Sequence, residues 1–82
     1  MRAEDFLPDD VNQRTVHGIT LRKGTVAAFL ANARAWCDPA TSAEGRAEAE
    51  RDIRDALPAL RVLGLFDVLQ PRDERLRALV EA

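Results

Sequence analysis

The sequence predicts a mainly α fold, with three to four helices in a compact bundle and a short β-strand or hairpin ahead of them. Three observations carry that expectation. From Val26 onward apolar residues recur at helical spacing, punctuated at Pro39, Pro58, Gly64 and Pro71. Residues that favour strands gather only between Thr15 and Leu21, on either side of Gly18. The chain has 82 residues, and 14 of its apolar side chains are alanine, so it makes one domain around a small core. The expected division is an arm over 1–10, a β element over 11–24 and a helical body over 25–82.

The arm sets Glu4, Asp5, Asp9 and Asp10 around Phe6-Leu7-Pro8 with no regular period, and Pro8 stops a helix from continuing. Phe6 and Leu7 are expected to dock on the body, because an exposed pair would bury nothing. In the β element, Thr15, Val16, Ile19, Thr20 and Leu21 flank Gly18, and Gly24 closes the second run. Two strands alone are marginal in water. The element must therefore pack on helices or pair with the same element of another chain.

Thr25 reads as the N-cap of the clearest helix, about Val26 to Cys37, in which Val26, Phe29, Leu30, Ala33, Trp36 and Cys37 share one face. Asp38-Pro39 ends it, since a residue before proline leaves the α region. Thr41 and Glu44 offer a capping box for a second helix, whose buried stripe runs through Ala49, Ile53, Ala56, Leu60 and Leu63. Pro58 interrupts that pattern, predicting either a kink or a break with a third short helix starting there. Gly64 suits the left-handed residue that closes a helix, and Leu65 to Leu69 form a tight apolar connection. Pro71 reads as the first residue of a last helix in which Leu76, Leu79 and Val80 face inward. The predicted core is Phe29, Leu30, Ala33, Trp36, Ile53, Leu57, Leu60, Leu63, Phe66, Leu76 and Leu79.

Composition removes several functions. Eleven arginines and one lysine face fourteen acids, for a net charge of −2, which disfavours nucleic acid as a partner because phosphate neutralisation needs a dense positive surface. The route left open for such binding is Arg22, Lys23 and Arg34, or the last helix with Arg72, Arg75 and Arg77. Cys37 is the only cysteine, so a disulfide framework is excluded and a cytoplasmic setting is expected. No apolar stretch follows Arg2 as a secretory leader would require, and no uncharged run is long enough to span a bilayer.

The closest approach to a catalytic motif is Gly18-Ile19-Thr20-Leu21-Arg22-Lys23-Gly24-Thr25, which resembles the phosphate loop GxxxxGK[ST] with Lys23 and Gly24 exchanged. The exchange moves the lysine off the phosphates, so nucleotide hydrolysis is not expected. What survives is a possible anion site at Arg22, Lys23, Gly24 and Thr25, where a helix begins. His17 and Cys37 have no third group to orient them, and scattered acids give no close-spaced metal ligands. No catalytic residue, cofactor or metal is therefore assigned.

The stretch from Gly24-Thr25-Val26 through Pro58-Ala59-Leu60 to Gly64-Leu65-Phe66 resembles a group of small uncharacterised bacterial proteins that share a Gly-Thr-Val helix start and a later Pro-x-Leu-x-x-x-Gly-Leu-Phe segment. The resemblance implies one compact domain and carries no activity. The expected function is a non-enzymatic protein-interaction module, a homo-oligomer in which Phe6, Val16, Ile19 and Trp36 are the interface candidates.

Overall fold

The computed structural model describes all residues from Met1 to Ala82. Five helices and one hairpin follow in the order α1 (Ala3–Phe6), β1 (Gln13–Val16), β2 (Ile19–Arg22), α2 (Thr25–Cys37), α3 (Ala43–Leu63), α4 (Leu65–Val68) and α5 (Glu74–Glu81). Two of the five, α1 and α4, are single turns, so the bundle proper is α2, α3 and α5.

The hairpin is antiparallel, with Val16 opposite Ile19 and Arg14 opposite Leu21. Only His17 and Gly18 join the strands, both at positive φ (51° and 77°), the conformation whose twist matches the strands it connects. Alternation then puts Arg14, Val16, Ile19 and Leu21 on one face, and Leu21 is buried. The arm clips onto this face: the Arg14 guanidinium lies 5.2 Å from the Phe6 ring centre, and Leu7 is buried. The acidic arm is thus not without structure, as its lack of period suggests; Arg2 and Asp5 bracket the single turn α1 through the Arg2 N–H and the Asp5 carboxylate, 2.9 Å apart.

Several helix ends differ from expectation by a residue or two. Gly24, at φ 82°, precedes α2 in place of Thr25, whose hydroxyl instead donates to the Arg22 carbonyl at 2.7 Å. Ser42 caps α3, accepting from Gly45 N–H at 3.0 Å, so the Thr41 and Glu44 capping box does not form. Asp73 caps α5, accepting from Arg75 and Leu76, and Pro71 stays in the preceding turn. In each case a polar side chain or glycine sits one or two positions from the residue the pattern favours, and tertiary packing chooses between them.

α3 continues through Pro58 without a break. Pro58 is exposed, one turn after exposed Arg54, so the carbonyl that loses its ladder donor lies where water can replace it. This long helix organises the core. Phe29, Ala33 and Trp36 of α2 meet Ala49, Ile53, Leu57 and Leu60 of α3, while Leu76, Leu79 and Val80 of α5 close the cluster. Phe66 adds an edge-to-face contact with Phe29 at 5.7 Å. Arg61 of α3 reaches the end of α5, donating to the Val80 and Ala82 carbonyls at 3.2 and 3.3 Å. Two predicted core residues are corrected: Leu30 is 54% exposed and Leu63 37%. No helix is long and apolar enough to cross a membrane.

Candidate functional site

The predicted anion site is divided by the fold. Lys23 does not point freely from the start of α2; its Nζ donates to the Pro8 carbonyl at 2.7 Å and fastens the arm. Gly24 has no side chain to cap α2, so the first amides of the helix meet no side-chain acceptor. Arg22, Lys23, Gly24 and Thr25 line one rim of a groove of about 280 Å³ whose walls are mostly apolar, including Leu7, Leu21, Val26 and Leu63. Phe6 lines the same groove, so the structure brings one interface candidate and the anion candidates together. The glycines of the phosphate-loop-like stretch flank β2, Gly18 in the hairpin turn and Gly24 at the start of α2.

Val16 and Ile19 are half-buried neighbours at the turn end of the hairpin. Trp36 lies at the far end of α2, about 17 Å along the helix axis from Thr25. It is only 6% exposed. Its indole N–H donates to Glu50 Oε1 at 3.2 Å, and the Arg46 and Arg75 guanidiniums lie 4.6 and 5.9 Å from its ring centre. A tryptophan covered this fully by its own chain has little surface to offer a partner. Of the choice between core residue and interface anchor, the fold takes the core.

Beside it, burial raises the Cys37 thiol above its ordinary pKa and the Asp73 carboxylate adds to that rise, so the thiol is held in its weakly nucleophilic form. Asp73 itself lies below the usual carboxylate range, chiefly because the Leu76 backbone N–H donates to it, with the Arg75 N–H and the Arg75 and Arg46 guanidiniums contributing. No group of three or more His, Cys, Asp or Glu side chains is gathered closely enough to hold a metal ion.

The cations named for nucleic-acid binding are spread over several elements, and three of them are engaged within the chain. Lys23 is held by Pro8, Arg75 faces Asp73 at 3.9 Å and Arg77 donates to the Pro71 carbonyl at 3.3 Å. Arg22, Arg34 and Arg72 have no side-chain partner, but they belong to β2, the last part of α2 and the turn before α5.

The surface that sequence reasoning missed is apolar. Leu30, Val68 and Leu69 are 54%, 82% and 60% exposed, and Val26 and Leu63 more than a third. Leu30 and Leu69 border a groove of about 320 Å³ between α2 and the α4–α5 connection, floored by Phe29, Ala33 and Phe66. Val26 lines this groove and also the one beside the arm. The missing signal was length. A helical face as wide as Val26–Leu30–Ala33 needs a long neighbour on that side, and α4 is one turn.

No family model, curated protein or solved structure matches this chain.

Proposed function

We propose that the chain is a small, non-enzymatic protein-interaction module that works as a homodimer. The observation that supports this reading is its surplus surface. A compact monomer of 9.1 kDa exposes about 4,900 Å², whereas this chain exposes 5994 Å². Its radius of gyration is 13.6 Å, against roughly 11.7 Å for a compact chain of this length. The difference of about 1,100 Å² compares with the roughly 800 Å² that each partner buries in a standard interface. The arm and the segment after it hold part of the surplus, Met1 and Val11 included; on the helical body the exposed large apolar side chains are Val26, Leu30, Leu63, Val68 and Leu69.

Those five side chains together expose the equivalent of between two and three whole aliphatic residues. At about 1.5–3 kcal/mol for each fully buried one, covering them contributes roughly 4–8 kcal/mol per copy and twice that for a pair. Association itself costs about 4–15 kcal/mol. The balance favours a dimer of modest affinity over a permanent one. Light scattering coupled to size-exclusion chromatography, over a hundredfold range of concentration, tests the reading. A mass rising from one chain toward two is the expected result. A constant single-chain mass up to the highest concentration refutes it.

A further inference from the structure

From this surface we infer that the two copies meet in an isologous contact through the α2–α4 face, with Leu30 and Leu69 of each entering the groove of the other; the inference rests on the homodimer reading above. A two-fold contact requires one patch to carry both the projection and the recess that receives it. This patch does. Leu30 and Leu69 stand more than half exposed at the border of the groove, and the groove between them is about 320 Å³. That is about twice the roughly 150 Å³ that admits a benzene ring, so aliphatic side chains fit. The floor is Phe29, Ala33 and Phe66, and the only charged side chain on the lining is Arg72. Insertion therefore strands no carboxylate in an apolar site.

The other surface able to pair two copies is the hairpin, whose outer edges are unpaired. It offers less. All of β1 except half-buried Val16 is exposed and polar, so edge pairing would add backbone hydrogen bonds with little apolar cover. Val26, Leu30, Val68 and Leu69, on α2 and on or just after α4, carry most of the exposed apolar area outside the arm, and the dimer is assigned there.

The test is sedimentation equilibrium on the full chain carrying Leu30→Glu and Leu69→Glu together, with Leu30→Gln and Leu69→Gln as a milder pair and circular dichroism as a check on the fold. Both positions are more than half exposed, so the helices are expected to persist. Each substitution appears twice in a two-fold contact, and the dimer dissociation constant should rise on the order of a hundredfold or more. A dimer that survives both pairs of changes unweakened overturns the assignment to this face and leaves the homodimer reading in place. A wild-type chain that stays monomeric throughout removes both.

Discussion

Replacing Trp36 measures whether the α2–α3–α5 core is held from its crowded end. In Trp36→Ala the side chain leaves a site closed by α3 and by two guanidiniums, and the cavity cannot collapse onto a helix that α5 also holds. Large aromatic truncations of this kind cost about 3–5 kcal/mol. A chain of this size has total stability of roughly 4–12 kcal/mol, so much of it is lost. Trp36→Phe retains most of the volume but loses the hydrogen bond to Glu50 and part of the stacking on Arg46. That change should cost about 1–2 kcal/mol, or a fall of roughly 5–15 °C in Tm. Glu50→Gln keeps an acceptor for the indole and gives up only an exposed pair with Arg54, 3.4 Å away, so its effect should stay below about 1 kcal/mol. Thermal and urea unfolding followed by far-ultraviolet circular dichroism, all at one protein concentration, rank the three. If Trp36→Ala melts within about 3 °C of the wild type, the end of α2 is not a tightly packed part of the core.

Three further changes probe single features of the backbone. Pro58→Ala restores a ladder bond in the exposed middle of α3 and should raise stability by about 1–2 kcal/mol, net of the freedom it returns to the unfolded chain; an unchanged or lower urea midpoint would contradict this. Gly64→Ala forces a Cβ into the left-handed region at φ 79°, at a cost of about 1–2 kcal/mol, and a Tm equal to the wild type would show that the α3–α4 turn relaxes freely. The folded Asp73 carboxylate titrates below its unfolded value, so its capping contribution is fully present above about pH 4 and is lost as the pH falls through the lower folded pKa. Asp73→Asn keeps a capping oxygen without that titration, so its acid limb of Tm against pH should be shallower than the wild type's; identical limbs would sink the assignment.

What was legible in the sequence was whatever a short local pattern determines. Asp38-Pro39 ends α2 because proline constrains the residue before it, Gly64 closes α3 because few other residues take its φ, and the strand formers around Gly18 give a hairpin. Helix starts were less legible, since Ser42 and Asp73 have neighbours able to play the same part. The exposure of Leu30 and Leu63 could not be read at all. Periodicity says which residues share a face, while burial depends on whether another element is long enough to cover it. Trp36 stood both in the predicted core and among the interface candidates, and its burial agrees with the first. The stacking of Arg46 and Arg75 on its ring was not legible, because they come one from each of two helices whose approach no local pattern records.

The same geometry explains why the candidate surface lies on α2. α3 runs for 21 residues, about 31 Å, and from Ala49 onward packs one face against α2, the hairpin, α4 and α5. α2 has no such company on its far side. Its flank toward Phe66 is met by one turn of helix and the connection to α5, and this cover leaves Val26 and Leu30 in water. Lengthening α4 would close the face within one chain; the proposed second copy would close it without any change of sequence. Because a single chain already buries Ile53 and Leu60 fully in its own core, separation of the proposed pair would expose the α2–α4 face and leave the helices packed. On the proposed arrangement, dimer dissociation and unfolding would therefore be separate events. Dilution should change the solution mass well before it changes the helical signal, and a simultaneous loss of both would mean that the core itself is shared between the chains.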